Sequence, residues 1–187
     1  MKLILGSQSQ GRKNVLTRLG LSFEVMVADI DEKATRCDDP AELVLALARA
    51  KAAALLPHIK EPALLITSDQ VVVWKDRILE KPQNPNEARK FLRGYAEYPA
   101  QTVTSVLVTL TSDGRHLEGV DRARIWFKPL PKDVIETLVA SGDVYRWAGG
   151  YNIWDARIAP YILRVEGEAH VGLAAALFPS HAGNPGG

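Results

Sequence analysis

A carboxylate placed among residues of buried type is the first sign of chemistry in this chain. Asp69 belongs to the polar quartet Thr67-Ser68-Asp69-Gln70, which interrupts the apolar runs Ala63-Leu64-Leu65-Ile66 and Val71-Val72-Val73-Trp74. Burying a lone carboxylate is costly unless it is paired or bound to metal, so Asp69 is a catalytic candidate. The alternative is an Asp in a tight turn, bonding its own backbone. Lys51 is the second misplaced charge. On a helical wheel of about 100° per residue, Leu43, Val44, Leu47, Ala48, Ala54 and Leu55 form one stripe, and Lys51 falls inside it. Its ammonium either snorkels to solvent or reaches a phosphate or carboxylate in a neighbouring cleft.

Two further stretches could supply partners. The run Leu3-Ile4-Leu5-Gly6-Ser7-Gln8-Ser9-Gln10-Gly11-Arg12-Lys13 takes a strand into a helix that opens with two cations, where carboxylates would suit the helix dipole. Ser9 can cap that helix. Arg12 points to its core side, so it either pairs with a carboxylate, snorkels outward, or joins free helix N–H groups in an anion site. The acidic loop Ala28-Asp29-Ile30-Asp31-Glu32-Lys33 is either a solvated turn or a source of metal ligands, since Mg²⁺ is commonly held by one or two carboxylates plus phosphate oxygens. Lys81, before Pro82, reads by spacing alone as a solvated lysine.

Composition narrows the classes. In 187 residues, 47% hydrophobic and 24% charged, there is enough apolar material for one substantial core, and the net charge of +1 argues against a nucleic acid polymer as partner. The single cysteine, Cys37, excludes an intramolecular disulfide. No uninterrupted apolar run is long enough to span a bilayer, so the expectation is a cytoplasmic protein without a membrane partner. Neither a Walker-type loop nor a dinucleotide fingerprint follows the first strand, and the four histidines lack metal-ligand spacing. One domain over residues 1–178 is expected, with residues 179–187 as a flexible tail.

The elements that must hold these side chains are legible. Residues 2–6 and 23–27 read as strands, and residues 12–19 as a helix stopped by Gly20. Asp39-Pro40-Ala41-Glu42 starts a helix to about residue 56, and Asn84-Pro85-Asn86-Glu87 starts another to about residue 94, each with a capping-box pattern. Residues 63–74 form a central strand or strand pair, and residues 78–82 follow a turn. Residues 102–111 and 120–127 form a long hairpin, and residues 131–140 form a helix. Tyr145-Arg146-Trp147-Ala148-Gly149-Gly150-Tyr151-Asn152 suits either a loop pressed on a planar ring or ordinary core packing.

The opening turn, Ala28-Asp29-Ile30-Asp31-Glu32, Ala48-Arg49-Ala50-Lys51-Ala52, Ser68-Asp69-Gln70-Val71-Val72 and Glu80-Lys81-Pro82 together resemble, in order and spacing, the motifs of the Maf family of nucleoside triphosphate pyrophosphatases. Ala148-Gly149-Gly150 and Val171-Gly172-Leu173 are similar to later family segments. The resemblance implies an α/β fold, an elongated twisted mixed sheet with flanking helices in two lobes around a cleft, similar to the inosine triphosphate pyrophosphatase architecture. It implies hydrolysis of a modified or pyrimidine nucleoside triphosphate to monophosphate and pyrophosphate with a divalent cation, Mg²⁺ or Mn²⁺. By that resemblance Asp69, Glu32 and Lys51 are the catalytic residues, Glu32 serving the metal or its water and Asp69 either orienting the attacking water or binding the metal. Ser7, Ser9, Arg12, Lys13, Gln70 and Lys81, with Lys51, bind the substrate. Members often pair, which is compatible with a homodimer.

Departures from the family pattern bear on competence. Gly11 stands where many members have a cation, Gln10 where many have proline, and Lys13 replaces a frequent arginine, exchanging a bidentate fork for a point charge. The competing hypothesis is therefore a nucleotide-binding regulator of septum formation that hydrolyses little. Ser68-Asp69-Gln70 is similar to the branch acting on 7-methyl-GTP, whereas the region around Trp147 and Trp154 is similar to plant and algal members.

Overall fold

The computed structural model describes residues 1–167. Val171-Gly172-Leu173 and the expected tail lie outside the described residues. The chain opens with β1 (Lys2–Leu5), α1 (Gln10–Arg18), β2 (Glu24–Val25) and α2 (Pro40–Leu55). Next come β3 (Ala63–Thr67), β4 (Gln70–Trp74), β5 (Arg77–Leu79) and α3 (Pro85–Gly94). The long hairpin β6 (Ala100–Leu110) and β7 (His116–Phe127) follows, then α4 (Lys132–Ser141) and β8 (Ile162–Glu166).

The eight strands of the described residues make one mixed sheet centred on β6. β7 pairs along one edge of β6, and β8 lies outside β7. On the opposite edge β3 and β4 lie end to end. Thr67 pairs with Leu107 and Gln70 with Thr104, so three residues pass on each strand and the register never slips. Residues 63–74 are therefore one long strand interrupted at Ser68-Asp69. Outside this line, β3 is flanked by β1 and then β2, both parallel to it in direction, and β4 by the antiparallel β5. The outer edge consequently splits at the interruption, which separates two lobes around a cleft.

Alternation along the strands assigns the faces. Leu65, Val71, Val103 and Leu107 meet α2, against Leu43, Val44, Leu47, Ala48, Ala52 and Leu55. On the other face Leu16 of α1 covers Leu5, Ile66 and Val106. Further along that face, Val72, Ile125 and Phe127 pack with Phe91, Leu92 and Tyr95 of the α3 region and Ile135 and Leu138 of α4. There Tyr95 stacks on Phe127, and Tyr151 meets both rings edge-on, with ring centres 5.1–5.4 Å apart. The 145–152 segment thus takes the core-packing alternative, as 3-10 turns against the chain's own Tyr95.

Local differences from the sequence reading have simple causes. α1 starts at Gln10 because Ser9 accepts from the Arg12 N–H and supplies the cap. β2 is only two residues long: Met26 N–H still bonds Leu5 O at 3.0 Å, and the acidic loop then leaves the sheet. The capping boxes are half-formed. Asp39 Oδ1 accepts from both Ala41 and Glu42 N–H, at 2.7 and 3.0 Å, while Glu87 takes the Gln83 N–H, one residue before the cap.

Gly149 joins the second lobe to the loop that leaves β5 toward the cleft. Its carbonyl accepts from Tyr95 Oη at 2.6 Å, and its N–H donates to Glu80 O at 3.0 Å. Its φ is +66°, and an added methyl would lie 2.6 Å from Tyr95 Oη and 3.0 Å from Val72. Gly149→Ala should cost about 2–4 kcal/mol through left-handed strain and overpacking. Urea unfolding measures it, and an unchanged midpoint would contradict this packing.

Candidate functional site

The chain passes from β1 into its first turn at a point with no room for a side chain. Gly6 N–H donates to Ile66 O at 2.7 Å, and a methyl on Gly6 would lie 2.7 Å from Thr67 Cγ2 and 2.8 Å from Leu55 Cδ1. Ser7 is thereby pressed against the strand interruption. Its Oγ accepts from Arg12 Nη1 at 3.0 Å and from Ser9 N–H at 3.2 Å. Arg12 therefore folds back over its own loop toward the cleft. Burial pulls its pKa down, and the charges of Asp69 and Glu32 oppose that shift. Lys13 is half-buried on the next position and makes no ion pair among the described residues.

Lys51 sits at the centre of the cluster. Its Nζ lies 2.5 Å from Asp69 Oδ1 and 2.8 Å from Glu32 Oε1, and its side chain is 11% exposed. The helix that carries it is registered on the strand by Thr67, whose Oγ1 donates to Ala48 O at 2.8 Å. Three residues along α2 advance about 4.5 Å and two along the strand about 6.6 Å, a difference the long lysine side chain spans, so fixing Thr67 on Ala48 brings Lys51 within reach of Asp69. Ser105 holds the carboxylate's backbone from β6. Its N–H donates to Asp69 O at 2.9 Å, its Oγ accepts from Asp69 N–H at 3.1 Å, and the same Oγ donates to Val44 O at 2.7 Å.

Glu32 arrives on a 3-10 turn, Glu32–Ala34, capped by Asp31 through Lys33 N–H at 3.0 Å. Burial alone would push its carboxyl up. The hydrogen bond and charge of Lys51, with the charges of Lys81 and Arg12, outweigh burial and hold it below the usual glutamate range. Lys81 is exposed on the loop that follows β5, close enough for its charge to act on Glu32. Three contacts fix that segment: Gly149 on Glu80 O, Gln83 Nε2 on Lys81 O at 2.7 Å, and Arg36 on Glu80 at 3.2 Å.

Ser7, Ser9, Arg12, Glu32, Lys51 and Asp69 thus gather at the interruption, with Lys81 across from Glu32. Gln70 is placed differently: alternation turns it to the face opposite Asp69, where Thr104 Oγ1 donates to its Oε1 at 3.1 Å. The sequence reading missed Thr67 and Ser105. The signal for Ser105 was faint, one of two adjacent hydroxyls with Thr104 in the otherwise apolar run Val103 to Val108, and nothing in the spacing marks Thr67 as the anchor of α2.

The donors suit a divalent cation that arrives with phosphate. No group of three or more His, Cys, Asp or Glu residues able to hold a metal occurs among the described residues. One or two carboxylates are what Mg²⁺ commonly takes from a protein, its other positions going to water and phosphate oxygens. Glu32 and Asp69, now bridged by one ammonium, fit that role.

Comparison with known proteins was made on sequence and on fold. The family described as Maf-like protein matches residues 2–178. A 7-methyl-GTP pyrophosphatase of Dictyostelium discoideum is 42% identical over 173 residues, covering 89% of this chain and 87% of that protein. A dTTP/UTP pyrophosphatase of Vibrio parahaemolyticus is 33% identical over 178 residues, covering 95% and 93%. A nucleoside-triphosphatase / dITP/XTP pyrophosphatase from Mycobacterium abscessus aligns over 70% of this chain and 76% of that one, with 14% identity and a TM-score of 0.42, too loose a likeness to carry weight.

Two measurements probe the cluster. Ser105→Ala removes the acceptor of a buried N–H and the donor to Val44 O, and should cost about 1–3 kcal/mol in urea unfolding. For Glu32, the folded pKa lies below the unfolded value of about 4.3, so its contribution is complete above that value and is lost as pH falls through the folded one. Thermal melts should find wild type more stable than Glu32→Gln near neutrality, with the difference closing below about pH 4. A gap that stayed constant into acid would exclude the ionic bridge.

Proposed function

The chain belongs to the Maf-like family, and from that premise we propose that it is a nucleoside triphosphate pyrophosphatase. It hydrolyses the α–β phosphoanhydride of a modified or pyrimidine nucleoside triphosphate to monophosphate and pyrophosphate, with Mg²⁺ or Mn²⁺, on free nucleotides in the cytoplasm. Relatives named for 7-methyl-GTP and for dTTP/UTP support the reaction class. No helix among the described residues is long and apolar enough to cross a membrane. The observation that carries the reading is the Lys51 ammonium shared by Asp69 and Glu32 at a break in the sheet.

Phosphoryl transfer asks a protein chiefly for position and for charge opposite the nonbridging oxygens. Arg12, with Ser7 holding its fork, and Lys81 from the loop after β5 supply that charge on two sides of the cleft. Glu32 and Asp69 are the carboxylates that would hold the cation, which when bound neutralises phosphate oxygens. Lys51 engages Oδ1 of Asp69, and the second carboxylate oxygen is left to orient the attacking water and take its proton. The water oxygen joins the α-phosphorus, the bond to the bridging oxygen breaks, and pyrophosphate leaves with that oxygen. Ser105 keeps the carboxylate aimed by pinning both backbone groups of its residue.

Incubation of the purified chain with a panel of triphosphates and Mg²⁺ or Mn²⁺ tests the reading by its products. Monophosphate plus pyrophosphate is expected, and Asp69→Asn should lower kcat by about a hundredfold or more while keeping a cooperative melt. Diphosphate plus orthophosphate would overturn the bond assignment, and binding without products would favour the regulator.

A further inference from the structure

The Lys81 ammonium makes no hydrogen bond or ion pair among the described residues, so the loop that carries it decides where its charge stands. From the second lobe that loop is held by its backbone: Glu80 O accepts from Gly149 N–H at 3.0 Å, and Lys81 O from Gln83 Nε2 at 2.7 Å. From the first lobe the hold is a side chain. Among the described residues, the one ion pair joining the loop after β5 to the acidic loop runs from Arg36 Nη1 to Glu80 Oε1, at 3.2 Å. A continuous chain of bonds leads on from there to Glu32. Arg36 Nη1 also donates to Thr35 O at 3.4 Å, and Thr35 N–H closes the 3-10 turn by donating to Glu32 O at 3.3 Å. Arg36 thus ties the turn that presents a carboxylate of the cleft to the loop that presents the facing lysine.

The pair also settles a charge problem. Glu80 stands immediately before Lys81, and unpaired it would oppose an incoming polyanion and weaken the field of the lysine. Bonded to Arg36, it is neutralised at the place where it would do so. Both side chains are more than half exposed, so the pair adds little to global stability, and what it contributes is local geometry. We propose that Arg36 is a positioning residue: through Glu80 it sets the distance of Lys81 from Glu32, and with it the width of the triphosphate slot. This rests on the pyrophosphatase reading and adds to it a residue that belongs to none of the motifs carrying the family resemblance.

Steady-state pyrophosphate release from the best substrate of the triphosphate panel tests it. Arg36→Gln should raise KM by about fivefold with kcat within about twofold, the upper end of what an exposed pair is worth. Exchanging the charges, Arg36→Glu with Glu80→Arg, should bring KM back to within about twofold of wild type. Because Arg36 acts through Lys81, adding Arg36→Gln to Lys81→Gln should leave KM where Lys81→Gln alone puts it. An unchanged KM in Arg36→Gln would overturn the proposal. So would an exchanged pair no better than Arg36→Gln, which makes position 36 a direct phosphate contact, or an additive loss on the Lys81→Gln background. Lys75→Gln breaks an exposed pair of similar length, Lys75 to Glu97 at 3.1 Å, outside the cleft. It should leave KM unchanged, and an equal rise there would overturn the proposal as a general effect of charge. If wild type releases no pyrophosphate, the enzymatic reading fails by itself. The same variants are then compared by calorimetric affinity for the α,β-imido analogue of UTP, where the same pattern would uphold the role of Arg36 and equal affinities would overturn it.

Discussion

One ammonium shared by two carboxylates is the constraint on which the cleft depends. Taking Lys51 and Asp69 out of water costs several kcal/mol each, and mutual attraction offsets this only when geometry is good and the remaining bonds are made. Here they are: Lys51 bonds both Asp69 and Glu32, and the backbone of Asp69 is satisfied by Ser105. The arrangement dictates its surroundings. α2 must lie in register with β3, which the Thr67 bond to Ala48 O secures, and the acidic loop must fold back toward the helix, which the Asp31 cap secures. Arg12 and Lys81 then bring two further positive charges toward two negative ones. The cluster therefore carries a surplus of cations, the electrostatic condition for receiving a polyanion.

The break at Ser68-Asp69 makes this economical. The register along β6 is the same on both sides of it, so the sheet keeps its continuity on the inner edge and loses it only on the outer one. There β1 ends at Leu5 and β5 returns at Leu79 from the opposite direction. Two segments with different partners, one carrying Ser7 and Arg12 and the other Lys81, are thus aimed at a single point. An unbroken strand with one outer neighbour would have filled that space with backbone.

Much of this was legible because misplaced charge is a strong signal. Lys51 inside an apolar helical stripe and Asp69 inside an apolar strand had to meet a partner, and each is the other's. Arg12, on the core side of its helix, likewise turned inward. The helix starts were readable from Asp39-Pro40 and Asn84-Pro85 to the residue. What stayed hidden were bonds whose partners lie far apart in sequence and whose residue types are common. Thr67, Thr104 and Ser105 are ordinary strand residues until their hydroxyls are seen on Ala48, Gln70 and Asp69. Lys81 looked solvated, as it is; its proximity to Glu32 comes from β5 and from the Gly149 hold on Glu80, which no local pattern encodes.

The departures in the first turn weigh less in space than in sequence. Gln10 uses its amide to bond Asn14 at 2.8 Å along the helix surface. A side chain at Gly11 would meet only Ser9 Oγ, at 3.7 Å, and would emerge at the start of α1. Neither position coincides with the place where Arg12 lies over Ser7, so the missing cation belongs to the rim of the turn. Its loss removes long-range attraction, which salt screens over roughly 10 Å, while the half-buried Arg12 guanidinium keeps its contact with the loop and its field on Asp69 and Glu32. The chain has given up charge where water already weakens it and has kept it where the low dielectric makes it count.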